Sequence, residues 1–280
     1  MPLVPPITAL TPEAILDFGL YGSGKTEDHL SIAEVYRLTK TDGQFHILST
    51  EFERVLASLE GHPDWQANTT LYEVEDWPTL LAASEIVTKT TRARCEERGW
   101  TALQSFDWVV LDVAGPVLRW SRDAWMQANK GVDSFRDFQA EGGQSTEIQS
   151  HEWMQMEREY LSWFNPTVLR FPGHRFVCAQ ADPIPAATDE KGRPNKWAPK
   201  ETSTIKRVFG RGHKAAGYKE LGAQMHTVLY KTNPSTGIYE VSTVKDRSGR
   251  QPLAHEPVAG PPFGFVKTYL QDVAGWGITE

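Results

Sequence analysis

Residues Gly19 to Thr26 read Gly-Leu-Tyr-Gly-Ser-Gly-Lys-Thr and meet every specified position of the phosphate-loop pattern G-x-x-x-x-G-K-[ST]. The residue types suit an anion. Gly19, Gly22 and Gly24 let the backbone take conformations closed to residues with a Cβ, so the N–H groups around Ser23 can turn towards one phosphate. A helix opening at the end of the loop adds unpaired amides and the positive end of its dipole. Lys25 would reach the β- and γ-phosphates of a nucleotide, and the Thr26 hydroxyl would coordinate Mg²⁺. Glu27 and Asp28 put two negative charges directly after the loop, so both are expected to point away from the nucleotide.

Three strand ends offer further chemistry. Phe45-His46-Ile47-Leu48 reads as a short strand that delivers Ser49-Thr50-Glu51. A carboxylate there orients and polarises a water attacking phosphorus; Glu51 is the candidate and Glu53 the alternative. The same residues also suit a helix start, capped by Thr50 or Ser49 and carried on Phe52, Val55, Leu56 and Leu59. Ser105 to Asp112 is an apolar run ending in a carboxylate, the pattern of a buried parallel strand with its polar residue at the ligand-binding edge. Asp112 would hold Mg²⁺ through water, opposite Thr26. Arg175 to Gln180 is a third such strand, and Gln180 could sense the γ-phosphate and pass its presence to the loop that follows.

That loop is basic. Between Asp189 and Lys219 there are nine Lys or Arg against three acids, within a chain of net charge -7. Lys191, Arg193, Lys196, Lys206, Arg207, Arg211 and Lys214 are interleaved with glycines, Trp197 and Phe209. This suits a mobile segment, spanning 183–220, that tracks the phosphate backbone of single-stranded DNA; a solvated surface loop has the same composition.

The elements that would position these residues follow from periodicity. Ala14 to Phe18 is the strand feeding the loop, and Glu27 to Leu38 the helix leaving it. Thr69 to Val74 reads as a strand and Trp77 to Arg98 as a long helix. Residues 113–170 form a polar, helix-like insert whose Trp120, Trp125, Trp153 and Trp163 either pack helices together or stack on bases, with Gly142-Gly143-Gln144-Ser145 as a tip. Met225 to Lys231 and Gly237 to Val244 read as two antiparallel strands, leading into Lys245-Asp246-Arg247. Residues 1–13 are a Pro-rich arm and 251–280 a C-terminal extension.

At 280 residues and 40% hydrophobic, the chain suffices for one large α/β domain, here 14–250. It carries neither a long apolar run nor signal-peptide blocks, so a cytoplasmic protein without membrane contact is expected. The two cysteines, Cys95 and Cys178, have no metal-like spacing and read as buried thiols.

Loop, Glu-ended strand, Asp-ended strand, Gln-ended strand and terminal Lys-x-Arg occur in the order used by RecA-like ATPases, and from Ile15 to Gly249 the chain resembles that family. Its size and the Val244-Lys245-Asp246-Arg247 ending look most like the phage-borne members associated with single-strand annealing and recombination. The resemblance implies a three-layer α/β fold with a mainly parallel central sheet and a C-terminal antiparallel extension, the Gln180 strand lying between the loop strand and the Asp112 strand. It also implies ATP and Mg²⁺ bound between subunits of a ring or filament, with Lys245 and Arg247 supplied in trans to a neighbour's γ-phosphate. A DNA-translocating motor or packaging subunit, and a nucleotide-bound regulatory module with a protein partner, are the alternatives.

Overall fold

A buried parallel strand has to be apolar on both faces, and β1 (Ala14–Gly19) is buried along its whole length. In the computed structural model, which describes residues 12–39, 42–100, 106–140, 148–188, 191–195, 198–200, 203, 212–235, 238–246 and 258–260, β1 lies at the centre of the sheet. The other strands are β2 (Phe45–Ser49), β3 (Thr69–Glu73), β4 (Trp108–Asp112), β5 (His174–Pro183), β6 (His213–Ala215), β7 (Thr227–Ser235), β8 (Ile238–Asp246) and β9 (Val258–Gly260). The sheet order is β3-β2-β4-β5-β1-β7-β8-β9, with β6 attached to β5. The pairs from β3 to β7 are parallel, and β7-β8-β9 run antiparallel. The Gln180 strand β5 therefore lies between β1 and β4, as the resemblance implies.

Alternating side chains of these strands build two separate apolar layers. Leu16, Phe18, Val109, Leu111, Val177 and Ala179 pack with residues of α3 (Trp77–Arg98), α4 (Ala114–Lys130) and α6 (Ser150–Phe164) on one face. Ile15, Trp108, Val110, Phe176 and Cys178 pack with α1 (Lys25–Thr39) and α2 (Phe52–Gly61) on the other. The result is three layers, helices on both faces of a mainly parallel sheet. The periodicity dictates this: each strand alternates which helix layer its side chains meet.

Helix α3 has the bounds the sequence predicts, because both ends carry strong stop signals. Asp76 and Thr79 form a reciprocal capping box at its start, and Gly99 takes the left-handed conformation after its end (φ 62°). In the 113–170 segment α5 (Phe135–Ala140) lies between α4 and α6. Trp163 is buried, edge-on to Trp77, with its indole N–H donating to Ser84 Oγ at 2.7 Å. Trp125 is buried too, which favours helix packing over base stacking for these two aromatics.

Strand β5 is longer than expected and continues past Gln180 to Pro183, where it pairs with β6, a strand the sequence reading did not contain. Three hydrogen-bonded residues were too few to show a period. Lys196, Lys206, Arg207, Arg211 and Arg247, and most of the arm and C-terminal extension, lie outside the described residues.

Candidate active site

The loop between β1 and α1 is shaped by its glycines. Gly22 and Gly24 have φ of 70° and 76°. A Cβ on Gly19 would stand 2.5 Å from the carbonyl oxygen of Lys231 on β7, a backbone contact that cannot yield. The Lys25 ammonium folds over the loop, donating to the carbonyls of Gly19 at 3.3 Å and Leu20 at 3.0 Å and to Ser23 Oγ at 3.4 Å. A phosphate binding here would exchange those acceptors for its own oxygens.

Across the pocket, Thr26 Oγ1 donates to Asp112 Oδ2 at 3.2 Å, joining residues 86 apart in sequence. Asp112 is fully buried, which alone would raise its pKa. Bonds from His29, Cys178 and Thr26, with the charge of His29, outweigh burial and hold it below the usual carboxylate value. A pocket of about 250 Å³ gathers Gly22 to Glu27 with Glu51, Arg54, Ser58, His62, Asp112, Gln180 and Tyr239. Thus Lys25, Thr26, Glu51, Asp112 and Gln180, read from separate stretches of the chain, line one cavity.

Glu51 is itself the N-cap of α2, in place of Thr50 or Ser49, and its side chain makes no capping bond. Ser49 Oγ accepts from the Glu51 amide, and Thr50 Oγ1 from the Val113 amide. The Glu51 carboxylate instead accepts from Arg54 at 2.9 Å, beside the loop. Glu53 does not line this pocket; it opens onto a neighbouring cleft of about 770 Å³ together with Glu73, Glu75 and Trp120.

Of the acidic pair after the loop, Glu27 lines the pocket and accepts from Ser58 at 3.5 Å, so it does not point away. Asp28 does: it turns into the core and pairs with Lys231 at 2.6 Å, both residues being buried. Lys231 also donates to the Gly24 carbonyl at 3.0 Å, so one ammonium ties β7 to the phosphate loop and to α1. Asp17 of β1 lies on the same face, fully buried. Burial pushes Asp17 up to about 6 and Asp28 to about 7, the attraction of Lys231 only partly offsetting it. The two carboxyls and one ammonium behave as a single coupled group that is neutral when it carries one carboxyl proton. Sequence reasoning missed Lys231 and Asp17. The signal was present, since Asp17 breaks an apolar strand and Lys231 follows Val228-Leu229-Tyr230 on a strand that is otherwise buried there.

The basic segment leaves the sheet at the pocket. The main-chain carbonyl of Gln180 accepts from the Ala216 amide (2.8 Å), and the Ile184 amide donates to the Gly212 carbonyl at 2.7 Å, so β5 and β6 close the neck of the 185–211 excursion. Lys191 and Arg193 are exposed, whereas Lys214 pairs with Asp182 at 3.4 Å. Lys245 is not in the pocket of its own chain. Its ammonium donates to the carbonyls of Gly222 (2.6 Å), Ala223 (2.9 Å) and Met225 around the end of α7 (Leu221–Gln224), and service to a neighbour would require breaking those bonds.

Phosphate loop, strand order and the Asp112 strand end together define a three-layer P-loop α/β fold, with the strand order that the resemblance to RecA-like ATPases implies. Among solved structures, a RadB recombinase is similar at 13% identity and a TM-score of 0.46, over 87% of this chain and 86% of that one. A second solved structure, an ATPase domain, is similar at 12% identity and a TM-score of 0.40, over 88% of this chain and 78% of that one. No protein-family model and no curated protein matches the sequence. Among the described residues, no helix is long and apolar enough to cross a membrane.

Proposed function

We propose that the chain is a Mg²⁺-dependent ATPase that couples nucleotide state to binding of single-stranded DNA, in annealing or recombination of the phage type. The observation that carries the reading is the Thr26–Asp112 bond at 3.2 Å within a cavity that also holds Lys25 and Glu51. A hydroxyl and a carboxylate are hard oxygen donors suited to Mg²⁺, so the residues fit the metal. When bound, Mg²⁺ neutralises phosphate oxygens; Thr26 and Asp112 would hold it.

The chain's own residues do the rest. Main-chain amides of Gly22 to Thr26 bind the phosphates at the start of α1. Lys25 offsets negative charge on the β- and γ-phosphates. Glu51 orients the attacking water and accepts its proton, giving ADP and inorganic phosphate. Arg54 and Ser58 on α2 and His62, the residue that ends it, continue the pocket, and the His62 ring, stacked on Trp65 at 3.8 Å, offers a flat surface to the base. Gln180 stands between the γ-phosphate position and the neck of the basic segment, where Lys191, Arg193, Lys196, Lys206, Arg207, Arg211 and Lys214 contact DNA. Arg247, and less readily Lys245, serve a neighbouring subunit in a ring or filament in the cytoplasm.

For Lys25→Ala, ATP affinity by calorimetry is expected to fall about 10- to 150-fold, the loss of hydrogen bonds from a charged donor. An unchanged affinity and turnover would exclude the reading. Binding of a labelled single strand should weaken about 300-fold between 50 and 200 mM salt if six phosphates are contacted, at a single-strand slope of about −0.7 per phosphate. No DNA binding at low salt would favour a protein partner, and directional movement along duplex DNA would favour a translocating motor.

A further inference from the structure

We propose that His29, Asp112 and Cys178 form a site for a borderline-soft divalent ion of the Zn²⁺ type, and that filling it withdraws Asp112 from the nucleotide's Mg²⁺. The metal half stands apart from the ATPase reading; the competition half rests on it.

Three elements converge on the α1 side of the sheet. His29 lies on α1 one turn beyond Thr26, Asp112 ends β4, and Cys178 sits on the adjacent strand β5. One ligand atom from each lies within 4.8 Å of the others, and all three side chains are buried. The separation of His29 Nε2 from Asp112 Oδ2 is 3.3 Å. Nitrogen and oxygen ligands placed tetrahedrally about 2.05 Å from Zn²⁺ stand about 3.3 Å apart, and a nitrogen–sulfur edge is about 3.6 Å. A small closure of Cys178 therefore completes three corners, with the Thr26 hydroxyl or a water available for the fourth.

The donor set separates this site from the Mg²⁺ position beside it. Imidazole and thiolate favour Zn²⁺ over Mg²⁺, which takes oxygen ligands. His29 Nδ1 is buried without a hydrogen-bond partner among the described residues, so no second bond holds the ring against a small rotation towards an ion. Asp112 lines the pocket and gives the ion a route in. As the sulfur–metal bond forms, the Cys178 thiol releases its proton to solvent. Asp112 Oδ2 is the atom Thr26 also uses, so an ion held towards His29 and Cys178 takes that oxygen from the Mg²⁺ side.

Titration of the nucleotide-free full chain with Co²⁺, an optical stand-in for Zn²⁺, tests the site. One equivalent should give a near-ultraviolet thiolate-to-metal band that Zn²⁺ abolishes. Cys178→Ser should remove the band, while Cys95→Ser, on α3, should keep it. His29→Gln should weaken binding at least tenfold, with circular dichroism showing that both site variants remain folded. Lys25→Ala should retain the band, so loss of ATP binding in that variant bears on the ATPase reading alone. Absence of the band, or its persistence in Cys178→Ser, overturns the metal site. Excess Mg-ATP should lower Co²⁺ affinity at least tenfold; an unchanged affinity overturns the competition.

Discussion

Glu51→Gln is expected to bind ATP about as tightly as the unaltered chain while hydrolysing it about 10²- to 10⁴-fold more slowly, the contribution of a positioned general base. The substitution keeps shape and length and removes the charge and with it the capacity to take a proton. Because Glu51 makes no capping bond, α2 loses at its start only the attraction between that charge and the helix dipole, about 0.3–1 kcal/mol. The exchanged contact is the ion pair with Arg54, a half-exposed pair at 48% and 26% side-chain exposure whose loss has little effect on stability. Single-turnover phosphate release, beside a separate binding titration, makes the measurement. Equal loss of binding and turnover would mean that Glu51 holds nucleotide, and unchanged turnover would remove it from the chemistry altogether.

Lys231→Ala is expected to cost about 3–5 kcal/mol, the penalty for leaving buried charge uncompensated. The ammonium is 1% exposed, contacts Asp28 at 2.6 Å and faces a second buried carboxyl, Asp17. Without it, both acids must be protonated in the folded state, so their folded pKa values rise further above the unfolded value of 3.8. A raised carboxyl pKa gives stability that is present at low pH and lost as pH rises. The deficit should therefore stay small up to about pH 6, where both folded proteins keep these carboxyls protonated, and grow above about pH 6 to 7, the folded values of Asp17 and Asp28 in the unaltered chain, as only that chain ionises them beside Lys231. Denaturant unfolding of both proteins across that range checks it, and a deficit independent of pH would mean that only packing was lost. ATP affinity should fall as well, since Lys231 also holds the Gly24 carbonyl.

The contrast between these residues marks where sequence was informative. Glu51, Asp112 and Gln180 were legible because each follows an apolar run, a local pattern in a chain with a phosphate loop, although only Asp112 ends its strand: β2 stops at Ser49 and β5 runs on to Pro183. Helix α3 was legible because its cap and its stopping glycine adjoin it in sequence. Lys231 and Asp28 are 203 residues apart, and nothing in the local period of either stretch announces the other. Their meeting follows from β7 pairing with β1, a consequence of strand order alone. The cluster of His29, Asp112 and Cys178 escaped for the same reason: the spacing of Cys178 carries no metal pattern, and its partners come from two other elements. Asp28 shows the reverse. Its charge next to the loop looked unfavourable for nucleotide binding, and the fold turns it inward, where it holds the loop's brace.

The floor beneath Gly19 also orders events in time. The phosphate loop is synthesised long before β7, yet the carbonyl that crowds Gly19 and the ammonium that grips Gly24 both belong to Lys231. A nascent chain halted before β7 therefore carries the complete motif without the surface that shapes it. In the proposed reading, a loop able to hold a nucleotide is therefore expected only late in synthesis, once β7 has paired with β1.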